Sequence, residues 1–209
     1  MRAMLAALAL GTGVPALSAS PLVGTYDGHQ MEIAAGLRLK ADGTFDYGLA
    51  YGALDERASG KWVERDGKVL LTTAPLPKPP AFTVVSDMPS KDGKLHVAMD
   101  KPDALGGFTL TVRVAIDGID RPLFIEAEED GTVPLPAGRV PASVVPDLPV
   151  YDVAVEPYSL KGTARSIVFR FQPNDLGVAD FRNEALAIDN GVLVMRRYDR
   201  TLTFRKKGK

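Results

Sequence analysis

The 209-residue chain contains no cysteine and only two histidines, His29 and His96. The absence of cysteine excludes disulfides, thiolate metal sites, cysteine nucleophiles and a lipidated cysteine anchor. Two histidines also leave few routes to histidine-based metal centres or catalytic triads. Acidic and basic residues nearly balance, with a formal net charge of -1, so the overall charge does not favour nucleic acid or an anionic surface. We therefore expect no cofactor, no metal and no nucleic-acid partner.

Long apolar runs are absent except at the start of the chain. Met1-Arg2 supplies a positive charge, an apolar stretch follows, and Ala16 and Ser18 fit the small-residue pattern of a cleavage site. This layout is typical of a secretory signal peptide, and the stretch is shorter than the roughly 20 apolar residues that a transmembrane helix needs. We predict that residues 1–18 are a signal peptide and that the mature protein is periplasmic or secreted, with no transmembrane segment.

Most of the remaining sequence alternates between apolar and polar residues with a period of two. Two clear examples are the runs Phe45, Tyr47, Leu49, Tyr51 and Phe108, Leu110, Val112, Val114, Ile116. Turn dipeptides such as Asp42-Gly43 and Asn190-Gly191 separate these runs. The pattern predicts an antiparallel all-β protein. One short helix is predicted from Asn174 to Arg182, with Asn174 as its N-cap.

Residues 22–73 carry a recognisable arrangement of turn glycines and strand residues. It consists of Gly24-Thr25-Tyr26-Asp27-Gly28, Gly36-Leu37-Arg38-Leu39, Asp42-Gly43-Thr44-Phe45, Tyr51, Gly60-Lys61-Trp62 and Asp66-Gly67-Lys68-Val69-Leu70-Leu71. This arrangement resembles the small lipocalin-like barrel at the N-terminus of the NlpE-type copper-resistance and envelope-stress lipoproteins, and the resemblance implies an antiparallel barrel. That family has a cysteine pair after the first strand and a lipidated N-terminal cysteine. This chain has neither, so the family's metal and redox features do not carry over.

The C-terminal region predicts three more short strands, at 185–189, 192–197 and 201–205. We expect these strands to complete the barrel, since the N-terminal strands alone are few for closure. The predicted arrangement is a discontinuous lipocalin-like barrel of residues 19–92 and 182–209, with an immunoglobulin-like β-sandwich of residues 93–181 inserted in it. The alternative is two tandem β domains that divide near Ser90. The proline-rich stretch 74–80 is predicted to be a stiff extended loop.

Aromatic residues give the strongest functional indication in the sequence. The candidate ligand-binding residues are Tyr26, Phe45, Tyr47, Tyr51 and Trp62. In a small barrel such residues either fill the interior or line a pocket at the barrel mouth. The leading interpretation is a non-enzymatic β protein of the cell envelope that binds a small ligand or a protein partner.

The alternative function is a hydrolase-type enzyme whose acidic residues converge at the barrel mouth. Its candidate groups are His29, Glu32, Asp55 and Glu56. Asp55 and Glu56 are adjacent, and adjacent strand residues point to opposite faces, so we expect these two carboxylates not to converge. The acidic stretch 126–130 does not match a calcium-binding loop. No phosphate-binding loop, nucleophile elbow or dinucleotide fingerprint is present in the sequence.

Basic residues are concentrated near the C-terminus. They include Arg196, Arg197, Arg200, Arg205, Lys206 and Lys207. The pattern is typical of an outward strand face with a basic tail that protects a sheet edge. It also allows a second interpretation, a weak contact with anionic envelope surfaces.

Overall fold

The computed structural model describes residues 20–105, 109–148, 150–151, 156–162 and 164–208. Within these ranges the protein consists of strands and connecting turns, and its one short helical element is a 3-10 turn at Pro102–Leu105. The prediction of an all-β fold is confirmed. The predicted signal segment 1–18 and Phe108 lie outside the described residues. Among the described residues, no helix has the length and apolar character needed to cross a bilayer.

The described residues form fifteen strands, numbered in chain order. They are β1 (Gly24–Asp27), β2 (Ile33–Leu39), β3 (Thr44–Tyr51), β4 (Leu54–Arg65), β5 (Lys68–Thr73), β6 (Ala81–Pro89), β7 (His96–Met99), β8 (Thr111–Ile116), β9 (Leu123–Glu126), β10 (Pro141–Asp147), β11 (Tyr158–Ser159), β12 (Arg165–Gln172), β13 (Arg182–Asp189), β14 (Val192–Arg197) and β15 (Arg200–Lys206). The last three confirm the short strands predicted at the end of the chain.

Eight of these strands form a closed antiparallel barrel in the order β1-β15-β14-β13-β5-β4-β3-β2. The barrel therefore takes five strands from the first part of the chain and three from the end. Strand β15 pairs with β14 on one side and with β1 on the other, which closes the sheet. Period-two alternation places one set of side chains inside, as in β2, where buried Ile33, Ala35, Leu37 and Leu39 alternate with more exposed neighbours. The prediction of an antiparallel barrel is confirmed.

The strands between β5 and β13 form a second unit with its own apolar core. One sheet has the order β11-β10-β8-β9, and the other has the order β6-β12-β7. Strand β7 runs parallel to β12, so the second sheet is mixed rather than wholly antiparallel. Strand β6 pairs with β12 and not with a barrel strand, so residues 19–92 contribute strands to both units.

Two connections join the units at one end of the barrel, where β5 ends at Thr73 and β13 begins at Arg182. We call this the connector end. The outgoing connection, residues 74–80, contains no strand, as predicted for the proline-rich loop. The returning connection, residues 173–181, is not the predicted helix. Asn174 and Gly177 have φ values of 43° and 78°, which a right-handed helix does not accommodate.

The returning connection closes the connector end by binding to barrel strands. The Arg57 N–H donates to the Gly177 carbonyl at 2.8 Å, and the Ala179 N–H donates to the Arg57 carbonyl at 2.8 Å. The buried Thr73 hydroxyl donates to the Ala179 carbonyl at 2.7 Å and accepts the Phe181 N–H at 3.0 Å. These contacts hold the buried Phe181 ring against Tyr47, with ring centroids 5.0 Å apart. The long-range backbone pairing also explains why a local helix does not form.

Candidate functional site

Four of the five predicted ligand-binding aromatics lie inside the barrel core. Tyr26, Phe45, Tyr47 and Trp62 are between 1% and 8% exposed. The Tyr26 hydroxyl donates to the Leu22 carbonyl at 2.6 Å, and the Trp62 indole N–H donates to the Lys40 carbonyl at 3.0 Å. Their polar atoms are therefore largely satisfied by the protein itself.

The fifth predicted aromatic, Tyr51, is half-buried at the end of β3. The Arg200 guanidinium lies over its ring, 5.1 Å from the centroid, and Nη2 of Arg200 donates to its hydroxyl at 3.0 Å. Tyr51 thus lies at the connector end, close to the turn between β14 and β15. Of the five residues, Tyr47 and Tyr51 approach the polar groups at this end.

A buried ion pair lies among the inward-facing positions of the barrel at the connector end. Glu56 precedes buried Ala58 by two residues in β4, and Arg197 follows buried Met195 by two residues in β14. The alternation that points the apolar residues inward therefore points both charged side chains inward as well. The Arg197 and Glu56 side chains are 21% and 7% exposed.

The two charged groups meet in a bidentate arrangement. Nε of Arg197 donates to Oε2 of Glu56 at 2.8 Å, and Nη2 of Arg197 donates to Oε1. The Tyr198 hydroxyl donates to Oε1 at 2.6 Å, and the Tyr47 hydroxyl lies 3.5 Å from Oε2. The guanidinium carbon is 5.1 Å from the Phe181 ring centroid and 4.9 Å from that of Tyr198. Packing between two rings and a carboxylate fixes the guanidinium in one orientation.

The protonation states of these groups follow from their surroundings. Burial, together with the Glu56 charge, raises the pKa of Tyr47 above its usual range. Burial and the hydrogen bond to Glu56 raise the pKa of Tyr198 to about 12. Burial lowers the pKa of Arg197, but the hydrogen bonds and charge of Glu56 outweigh this effect and raise it overall. At neutral pH both tyrosines are therefore neutral hydrogen-bond donors, and Arg197 is cationic.

A cavity of about 510 Å³ opens next to this ion pair. We call it the connector cleft. Its lining includes Leu54, Glu56, Arg197 and Tyr198 of the barrel, Pro77–Pro80 of the outgoing connection, Asp175–Asp180 of the returning connection, Arg182 at the start of β13, and Val150 and Tyr151 of the second unit. Apolar and aromatic side chains thus line the cleft together with six charged residues, of which Glu56 and Arg197 are the least exposed.

Three of the four residues of the enzyme hypothesis lie close together, but their side chains do not all point to one site. Asp55 is exposed and points outward, whereas the Glu56 carboxylate is held inside the barrel, as expected for adjacent strand residues. His29, Asp55 and Glu56 border one open groove on the outer face of the barrel, but the Glu56 carboxylate is bonded to Arg197 inside the barrel. Glu32 does not line this groove; its Oε2 atom lies 3.7 Å from Nη2 of Arg200. Within the described ranges, no three or more histidine and carboxylate side chains are placed to hold a metal ion.

The predicted basic face needs one correction. Arg197 does not point outward, because it is paired with Glu56 inside the barrel. Arg196 in β14 and Arg205 in β15 are exposed, and each lies next to a buried residue of its strand. The Lys206 ammonium donates to the Pro21 carbonyl at 2.6 Å, and Nζ of Lys207 lies 3.7 Å from Oδ2 of Asp27. Arg200 is shared between Tyr51 and Glu32, so the outward charge is smaller than the sequence suggests.

Sequence reasoning missed the ion pair because its partners are 141 positions apart. The available signal was the alternation of Leu193, Met195 and Arg197, which points all three side chains to the same face. A charged residue at such a position is ordinarily assigned to solvent at a strand end.

Comparison of the chain with known family models, with curated proteins and with solved structures finds no match.

Proposed function

We propose that this protein is an exported, non-enzymatic β-barrel protein of the cell envelope that binds a small ligand in the connector cleft. The observation that carries the proposal is the combination of apolar cleft walls with the preorganised Arg197–Glu56 pair. A volume of about 510 Å³ lies within the range of roughly 300–1,000 Å³ that is usual for small-molecule sites.

The bonding of Glu56 favours binding over catalysis. A general base needs a carboxylate oxygen that is free to accept a proton from the substrate. Both oxygens of Glu56 already accept hydrogen bonds from Arg197, and Oε1 also accepts one from Tyr198. His29 is exposed on the outer face and does not line the cleft. The least exposed carboxylate of the cleft therefore serves to position Arg197 rather than to accept a substrate proton.

The envelope location rests on the sequence pattern of residues 1–18 and on the resemblance of residues 22–73 to the NlpE-type barrel. We propose on these grounds that the barrel is related to that family and that the exposed basic residues contribute a weak contact with anionic envelope surfaces.

Export predicts a shortened mature chain. When the full chain is expressed in a Gram-negative host, the protein is expected in the periplasmic or secreted fraction. N-terminal sequencing is expected to begin near Ala19, because cleavage follows the small-residue pattern at Ala16 and Ser18. Recovery of intact Met1 on protein from the cytoplasmic fraction would contradict export without bearing on the cleft.

Ligand binding in the cleft is tested by filling it. Leu176 lines the cleft, so Leu176→Trp is expected to occupy the space that a ligand needs. Leu76 is 68% exposed in the outgoing connection and does not line the cleft, so Leu76→Trp is the matched control. A fragment library is screened by ligand-observed NMR against the wild type. Hits are expected to bind Leu76→Trp normally and to lose at least about tenfold in affinity for Leu176→Trp, equivalent to about 1.4 kcal/mol. Hits that bind both variants equally would place binding elsewhere.

A further inference from the structure

The carboxylates that line the connector cleft are already engaged as hydrogen-bond acceptors. Both Glu56 oxygens accept from Arg197. Asp180 accepts from Nε of Arg182 at 2.9 Å, and Asp175 accepts from the backbone N–H of Lys78 at 2.7 Å. Glu56, the least exposed of these carboxylates, is therefore bonded at both oxygens, whereas Asp175 and Asp180 are exposed and each keep one oxygen without a hydrogen bond among the described residues.

Two cationic groups of the cleft also keep hydrogen-bond donors unused. Arg197 uses Nε and Nη2 for its bonds to Glu56, while its Nη1 group makes no hydrogen bond among the described residues. Lys78 also lines the cleft, and its ammonium group forms no ion pair in the part of the chain that the structure describes. The formal charges of the cleft side chains balance, but among its less exposed charged groups the one atom without a hydrogen bond in the described residues is cationic, Nη1 of Arg197.

The Arg197 guanidinium is also held ready for an incoming group. The Phe181 and Tyr198 rings pack beside it, and the bidentate bond to Glu56 fixes its plane. Little side-chain entropy remains to be lost on binding, which favours affinity. A planar guanidinium matches a carboxylate geometrically, and such charge-assisted bonds are stronger than neutral ones.

We propose that the ligand of the connector cleft is an organic monocarboxylate with an apolar body. Its carboxylate binds Nη1 of Arg197, with the Lys78 ammonium as the second cationic contact. Its apolar body packs on Leu54, Pro79 and Leu176. The inference rests on the proposed function and specifies the chemical class of its ligand.

The test compares three probes with the same hydrocarbon skeleton. Phenylbutyrate, phenylbutanamide and phenylbutylamine differ in the charge and hydrogen-bonding character of the polar group. Titration calorimetry with the wild-type protein is expected to show the carboxylate binding at least about tenfold more tightly than the amide, and no binding of the amine. Leu176→Trp is expected to abolish carboxylate binding, and Leu76→Trp is expected to leave it unchanged.

Two charge variants identify the anchoring groups. Lys78→Gln changes an exposed side chain and is expected to weaken phenylbutyrate binding several-fold without weakening amide binding. Glu56→Gln combined with Arg197→Met removes the guanidinium without leaving a buried carboxylate unpaired, and it is expected to remove the preference for the carboxylate. If this double variant fails to melt cooperatively, the Lys78→Gln result and the salt dependence of wild-type binding decide the question.

The outcomes separate this inference from the proposed function. Equal affinities for the carboxylate and the amide, both lost in Leu176→Trp, would overturn the monocarboxylate and leave cleft binding intact. Carboxylate binding that survives Leu176→Trp would place the anion elsewhere and overturn the inference. Absence of binding by all three probes would also overturn it, while library hits sensitive to Leu176→Trp would still support the cleft as a site.

Discussion

A chain that ends at Asp189 is expected to lose the folded barrel. The truncation removes β14 and β15, which close the sheet between β13 and β1. It also removes Leu193, Met195, Leu202 and Phe204, which are at most 1% exposed. The apolar burial lost is on the order of 10 kcal/mol, comparable to the whole stability of an ordinary domain. Loss of closure also exposes unpaired N–H and C=O groups along two strand edges.

The fluorescence of the single tryptophan, Trp62, gives the measurement. Trp62 is 8% exposed in the barrel, so its emission reports directly on the barrel core. The truncated chain is expected to show emission typical of exposed indole and no cooperative barrel transition on heating. A chain that ends at Lys207 retains all eight barrel strands and is the control. A cooperative transition with buried Trp62 in the shorter chain would contradict the requirement for closure and favour tandem domains.

Removal of one partner from the buried ion pair is expected to destabilise the protein strongly. Arg197→Met leaves the Glu56 carboxylate inside the barrel without its cation, at an expected cost of about 3 kcal/mol in the free energy of unfolding. Glu56→Gln combined with Arg197→Met removes both charges and is expected to recover more than half of that loss, because no buried charge remains uncompensated. Urea denaturation of the full chain measures each value.

The exposed pair formed by Arg182 and Asp180 provides the matched control. Its arginine side chain is 76% exposed, so Arg182→Met is expected to cost less than about 1 kcal/mol. If the effects of Glu56→Gln and Arg197→Met on the free energy of unfolding simply add, the two groups are not energetically coupled, and the interpretation of Glu56 and Arg197 as a preorganised pair is wrong.

Local patterns in the sequence were sufficient to predict most of the strands. Alternation over Phe45, Tyr47 and Leu49 predicts a half-buried strand, and Asn190-Gly191 predicts the turn that joins β13 to β14. These signals depend on neighbours within a few residues, since side chains alternate with a period of two and Asn-Gly tolerates positive φ. The three strands at the end of the chain were predictable for the same reason.

Other features depended on contacts between distant parts of the chain. The Asn174 to Arg182 segment has a local helix signal, but backbone bonds to Arg57 and the contact of Phe181 with Tyr47 favour a turn followed by non-helical backbone. The sequence also gives no indication that β6 pairs with β12 in the second unit.

The sequence by itself determined where the chain alternates and turns, and hence that the protein is built of strands that are nearly all antiparallel, with β7 as the exception. Tertiary structure alone decided that Arg197 faces Glu56 inside the barrel rather than an outer surface, and that the cleft lies where the two connections meet the barrel. The physical reason is that alternation fixes which residues share a face within one strand. Strand order and barrel closure, which depend on pairing between distant residues, decide what that face meets.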